Sequence, residues 1–219
     1  IEIRIEKKIF ALCMKKNIKD KKMIKIMIKE MRKKVLFLLM IFSVALSAQI
    51  KKTTPLTIDD MTDRITYGYR EANNRKIDII VIHSTYYVNA DSFSVQGVLK
   101  QFKQYGVGAH YIIDRDGNIR MMVKEKDVAF HAGKSELPGT NRRMLNTNSI
   151  GIEIINTPTT PPTDQQMESL IYLVQDIKKR YPIQYVVRHS DIAPGRKTDP
   201  WCFNWAVFNQ MLEYSQSEF

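Results

Sequence analysis

The stretch KIDIIVIHST, residues 76–85, constrains the fold more than any other part of the chain. It is short, continuous and β-branched. A surface helix needs a polar face, and a sheet with one wet face needs polar residues at alternate positions. A run with neither predicts a strand buried on both sides, in a sheet covered by helices. His83 falls near its C-terminal end.

The rest of the sequence supplies partners for such a sheet. SVQGVLKQFKQYG (94–106) carries Val95, Val98, Leu99 and Phe102 at i, i+3, i+4 and i+7, an amphipathic helix that Gly106 ends. HYIIDRDGNIRMMV (110–123) places Asp116-Gly117 between two apolar runs, which predicts a hairpin. SIGIEIIN (149–156) reads as a further strand with Glu153 embedded in it. Pro158, Pro161 and Pro162 mark a loop, after which Thr163 and Gln166 form a capping box. The helix they open has Met167, Leu170, Ile171, Val174 and Ile177 on one stripe and stops at Tyr181-Pro182. QYVVRHS (184–190) is a last strand with His189 at its end, and Trp205 to Tyr214 is a closing amphipathic segment. Strands interleaved with helices predict an α/β fold: a single domain at 75–219 with a central mixed β-sheet flanked by helices. In open sheets of this kind sites gather at the carboxyl ends of strands, where His83 and His189 fall. Residues 49–74 are expected to form a polar N-terminal extension over that domain.

The first 48 residues have a different character. From Met31 the chain reads MRKKVLFLLMIFSVALSAQ. Three basic residues precede an apolar run from Val35 to Leu46, interrupted only by Ser43, and small residues follow. This is the pattern of a secretory signal peptide, 31–48, cleaved near Ser47 or Ala48. The run is short of the roughly 20 apolar residues a membrane span needs. Residues 1–30 are rich in Lys and Ile. They are expected to be an upstream extension foreign to the mature protein, the rival reading being a basic amphipathic helix that touches membrane. The whole chain has a formal net charge of +11, but residues 1–48 hold 13 of its 34 Lys and Arg and 4 of its 23 Asp and Glu. Residues 49–219 are therefore only +2. A basic face suited to nucleic acid is not expected, and no nucleic-acid partner is assigned. Cys202 is the one cysteine after the leader, so no internal disulfide can form; a small buried apolar side chain is the expected reading.

Chemistry-bearing residues concentrate in HSDIAPGRKTD, residues 189–199. A zinc hydrolase site needs three protein ligands and one open position. His83 and His189 can supply two from strand ends. Asp199, ten residues after His189, can fold back across Ala193-Pro194-Gly195 as a third. On spacing alone a polar surface turn explains the stretch better than a metal site does. Amide hydrolysis also needs a base and a positive group near the developing oxyanion. Glu153 is a candidate base whose pKa burial would raise, unless its side chain faces solvent. Lys197 is a candidate oxyanion stabiliser, unless it is an ordinary solvated loop lysine.

Five motifs in order, IVIHST, GAHYIIDRDGNI, AFHAGKS, NSIGIEIIN and RHSDIAPGRKTDP, resemble the zinc-dependent N-acetylmuramoyl-L-alanine amidases of the phage-lysozyme and peptidoglycan-recognition-protein superfamily. The likeness covers about residues 75–205 and is strongest to the bacterial muropeptide amidases. It implies that His83, His189 and Asp199 bind Zn2+, that Glu153 acts on the catalytic water, and that Lys197 steadies the tetrahedral intermediate. It places His131 beside the substrate cleft, in substrate contact or in structural hydrogen bonding, and makes His110 a structural histidine. Ala109 stands where other superfamily members use a catalytic tyrosine. Ser84 replaces an asparagine of the recycling enzymes, and Trp201 stands where many relatives have glycine. The implied function is an exported hydrolase of the bond between N-acetylmuramic acid and L-alanine. It would act on peptidoglycan or muropeptides in the periplasm or outside the cell, as a monomer with no membrane anchor after signal cleavage. The alternative is a non-catalytic peptidoglycan-binding receptor.

Overall fold

A computed structural model describes residues 57–214, together with Lys29. The description below concerns the unit Leu56–Phe219. The signal-peptide and leader readings lie outside the described residues, apart from Lys29. Among the described residues no helix is long and apolar enough to cross a membrane.

The buried run at 76–85 forms β3, Ile79–Thr85, and all seven of its residues are buried. It lies between β7, Ser149–Ile155, and β8, Tyr185–Arg188, parallel to both. β4, Tyr111–Ile113, extends the sheet parallel to β7. β5, Ile119–Met121, turns back antiparallel to β4. At the far edge β1, Ile58–Asp60, runs parallel to β5. The sheet order is therefore β1-β5-β4-β7-β3-β8. A separate antiparallel pair joins β2, Tyr69–Arg70, to β6, Val128–Ala129. The strand at Ile58–Asp60 corrects the expectation for residues 49–74. This polar segment adds an edge to the sheet, and its Met61 and Ile65 enter a core cluster. A three-residue strand is too short to leave a periodic signature.

Helices cover both faces. α1, Val95–Tyr105, starts at Ser94, whose Oγ accepts a hydrogen bond from Gly97 N. It ends at Gly106, which takes the left-handed conformation (φ 63°) that glycine adopts without penalty. Its Val98, Leu99 and Phe102 pack with Ile112 and Ile155 on one face. α2, Asp164–Arg180, opens with the predicted capping box between Thr163 and Gln166. Leu170, Leu173, Val174 and Ile177 bury against Ile80, Ile82, Ile152 and Ile154 on the other face. α4, Trp205–Tyr214, adds Phe208 and Leu212 to that cluster. The hairpin turns at Gly117 (φ 83°), with Asp114 accepting from the backbone of Asp116 and Asn118. Two details differ from expectation. His189 does not end the last strand but opens a one-turn helix, α3, His189–Ile192. Cys202 is exposed rather than buried: it occupies a left-handed turn (φ 49°) in which its thiol approaches the Pro158 carbonyl at 3.1 Å.

Candidate metal centre and cleft

Strand register sets the site. His83 of β3 lies directly opposite Glu153 of β7 in the parallel pairing, on the same side of the sheet and near the carboxyl end. His189 follows β8 at the same end. The chain then turns at Gly195 (φ 76°) and returns, so that Ser190 N donates to the Asp199 carbonyl at 2.9 Å. Two further bonds hold this return loop. Trp201 N donates to Ser84 Oγ at 3.1 Å, tying the loop to β3. Arg196 donates to the carbonyls of Ala132 and Lys134 at 2.9 and 2.7 Å, tying it to the HAG segment.

The result is a convergence of three buried donor atoms. His83 Nδ1 and His189 Nδ1 are 2.9 Å apart. Asp199 Oδ2 lies 3.1 Å from His189 Nδ1 and 3.5 Å from His83 Nδ1. Among the described residues these three form a group able to hold a metal ion. Zinc bonds to nitrogen and oxygen are about 2.0–2.2 Å, so neighbouring ligand atoms of a tetrahedral site sit about 3.4 Å apart. The observed separations are close to this, and two imidazoles plus one carboxylate is a zinc-binding donor set.

The electrostatics suit a cation. Burial, reinforced by the neighbouring His189, lowers the His83 pKa to about 4, so the ring is neutral and able to offer a lone pair. Burial alone would raise the Asp199 pKa. The contact with His189 and the neighbouring His83 ring outweigh it and hold the carboxyl well below the usual range. Glu153 moves the other way. Burial, then repulsion from Asp199, raises its pKa to about 8, with the Lys197 charge opposing. Its Oε2 is buried and has no hydrogen-bond partner. The solvent-facing alternative for Glu153 therefore does not hold. Lys197 is exposed but lines the same cleft, of about 490 Å³, as Glu153 and the three converging residues.

The other two histidines are fully engaged by protein. His110 Nδ1 accepts from Gly151 N at 3.0 Å, and its Nε2 lies 3.1 Å from the Asp127 carbonyl. His131 lines the cleft, and both of its ring nitrogens have protein partners: Nδ1 faces His83 Nε2 at 3.0 Å, and Nε2 faces Ser149 Oγ at 3.1 Å. Sequence reasoning missed Ser149, Arg196 and the anchoring role of Ser84. Nothing in local pattern marks them, because each reaches a partner 18 to 117 residues away along the chain. It also missed the Tyr86–Trp201 pair, ring centroids 5.7 Å apart, on the wall of the cleft.

The α/β domain is thus a parallel-centred sheet clad in helices, with a His-His-Asp cluster and a buried carboxylate at its carboxyl edge. Residues 73–202 match the N-acetylmuramoyl-L-alanine amidase family, and the chain belongs to that family. The 1,6-anhydro-N-acetylmuramyl-L-alanine amidase AmpD of Enterobacter cloacae is 43% identical over 115 residues, 51% of this chain and 60% of that protein. The chain thus spans about 60% of the length of that relative. A crystal structure of a selenomethionine AmpD derivative superposes with a TM-score of 0.61 at 29% identity, covering 73% of this chain and 96% of that one. AmiD from Escherichia coli, in complex with anhydro-N-acetylmuramic acid-L-Ala-D-γ-Glu-L-Lys, gives 0.54 at 33% identity, covering 64% and 59%.

Proposed function

We propose that this chain is an exported zinc amidase that hydrolyses the bond between N-acetylmuramic acid and L-alanine in peptidoglycan or in muropeptides. The observation that carries the reading is the pairing, within one cleft, of the His83–His189–Asp199 cluster with the unpartnered Glu153 carboxyl. His83, His189 and Asp199 would hold the metal. When bound, zinc supplies Lewis-acid polarisation of the scissile carbonyl and brings the pKa of water toward neutrality.

The remaining work falls to this chain's own residues. Glu153 takes a proton from the attacking water as oxygen adds to the lactyl carbonyl carbon. It then returns that proton to the alanine nitrogen as the carbon–nitrogen bond breaks. Lys197 places positive charge where the carbonyl oxygen becomes negative. The anhydro-muramyl peptide bound by AmiD supports a muropeptide as the substrate class. The Met31–Ala48 pattern supports export.

The test is mass spectrometry of defined muropeptides incubated with the full chain, with and without a chelator. Release of a stem peptide beginning at L-alanine, lost on chelation and restored by zinc, is the expected result. Zinc-loaded, folded protein that binds these fragments without cleaving them would replace this reading with a receptor. For export, the secreted product should begin at Ala48 or Gln49 by N-terminal sequencing.

A further inference from the structure

The hydrogen bonds behind His83 have only one consistent assignment of protons. It starts at Ser149 Oγ, which lies 2.6 Å from the Leu145 carbonyl oxygen. Two oxygens approach that closely only with a proton between them, and only the hydroxyl has one to give. Ser149 therefore donates to Leu145 and presents a lone pair to His131 Nε2 at 3.1 Å. That nitrogen must carry the proton. In a neutral imidazole the other nitrogen, Nδ1, is then an acceptor. It faces His83 Nε2 at 3.0 Å, so His83 carries its proton there. His83 Nδ1 is left as a bare lone pair, directed at His189 and Asp199.

We propose that His131, keyed by Ser149 and the Leu145 carbonyl, is a positioning residue that fixes the tautomer and orientation of His83 before any metal arrives. The proposal rests on reading His83 as a metal ligand. Free imidazole in water prefers to carry its proton on Nε2 only weakly, so a site without this relay would spend part of its time with Nδ1 blocked. Ligating histidines commonly have their second nitrogen held by a carboxylate, a backbone carbonyl or water. Here a second imidazole does that work, and its own proton is set by a main-chain carbonyl two steps away.

The surroundings hold the relay in place. Asn146 Oδ1 accepts from the backbone of His131 and Ala132 at 3.2 and 2.7 Å. The His131 ring lies against Gly151, where an added Cβ would come within 2.4 Å of the ring. Gly151 N is in turn bonded to His110 Nδ1. The three rings His83, His131 and His110 follow one another edge to face, with centroids 5.1 and 5.7 Å apart.

Histidine tautomers can be read directly by nitrogen-15 NMR on the full chain labelled at histidine, and the four rings assigned by substitution. In zinc-free wild-type protein, His83 and His131 are both expected as the Nε2–H form. Predominant Nδ1–H at either ring would overturn the proposal. Ser149→Ala removes the key and is expected to give mixed tautomers at His131 and His83; unchanged tautomers would also overturn it. Zinc affinity, measured by competition with a chromophoric chelator, is the second readout. His131→Phe cannot accept a hydrogen bond and is expected to lose about 10–100-fold, the usual cost of removing such a partner. His131→Asn puts an amide oxygen near the former Nδ1 and is expected to stay within about threefold of wild type. If Asn loses as much as Phe in a protein of unchanged Tm, the ring matters only for packing and the proposal fails. A wild-type chain that binds no zinc would sink the amidase reading, while the tautomers of the metal-free protein still decide the relay.

Discussion

Burial holds the Glu153 carboxyl at a pKa of about 8, against 4.5 for the free side chain. A base so placed is mostly protonated near neutrality until a nearby cation draws the proton off, and this conflict makes a testable signature. The folded state keeps its proton where the unfolded chain has already released it. Stability therefore falls as pH rises from about 4.5 to 8, by roughly 3 kcal/mol at pH 7 if the shift is fully expressed. Glu153→Gln removes this loss together with the base. In zinc-free protein its Tm should exceed that of wild type at pH 8, where the loss reaches about 4 kcal/mol, by roughly 8–16 °C at about 2–4 °C per kcal/mol. The difference should vanish near pH 4.5. In zinc-loaded protein kcat should fall by about 10²–10⁴, with KM little changed. Thermal scans across pH and steady-state kinetics check both halves. A variant less stable at every pH would mean that the carboxyl makes a structural bond instead. At this scale the sequence marks residue types well. A glutamate inside IGIEII and a lysine two positions before Asp199 are visible as candidates. Which way Glu153 points depends on α1 packing over that face of the sheet, against Ile112 and Ile155, which no local pattern contains.

Gln166 shows what elements add to residues. Its place in a capping box is legible, since Thr163 and Gln166 stand three apart before an apolar stripe. Its second function is not. The buried amide of Gln166 donates to the carbonyls of Ile113 and Ile155, joining the ends of β4 and β7 to the start of α2. Gln166→Leu keeps the volume but leaves both carbonyls without these donors, and should cost about 2–4 kcal/mol in urea unfolding. Thr163→Ala removes the cap and the bond from Thr163 Oγ1 to the Arg115 carbonyl, and should cost about 1–2 kcal/mol. Equal losses would mean that the links to the sheet contribute nothing. The same contrast explains where prediction stopped. The long elements were legible because a helical period or an unbroken apolar run extends over many residues. β1 at Ile58–Asp60 was not, because three residues carry no period and its partner lies some sixty positions on. Cys202 was misplaced because its exposure follows from a left-handed turn after Pro200, a backbone feature that composition does not encode.

Across the whole molecule, stability and metal binding share the same histidines. Burial and the neighbouring His189 lower His83 to a pKa of about 4, while burial and Arg75 lower His110 to about 3. His131 is held well below its ordinary value, chiefly by burial. These rings are neutral when folded, whereas the unfolded chain takes protons near pH 6.5. Their contribution is complete above about pH 6.5 and is lost progressively as pH falls toward 4 and below. Asp199, also lowered, reinforces the acid loss. Glu153 slopes the opposite way, so metal-free protein should be most stable in mildly acidic to neutral solution and weaken on both sides. Zinc changes the balance on both sides. Binding only to the folded state at a thousandfold excess over Kd adds about 4 kcal/mol. That is a Tm rise of roughly 8–16 °C at pH 7 to 8, reversed by chelation. Its positive charge beside Glu153 also favours the ionised carboxyl, so the alkaline decline should flatten. On acidification, protons compete with zinc for His83, whose ring takes one near pH 4, so the zinc-dependent part of Tm should shrink as pH falls toward 4 and below. Calorimetry of matched zinc-loaded and chelated samples from about pH 3.5 to 8.5 reads all of this in one series. A zinc shift that stays constant across the acid limb, through the pKa of about 4 of His83, would show that the metal is not held by histidine.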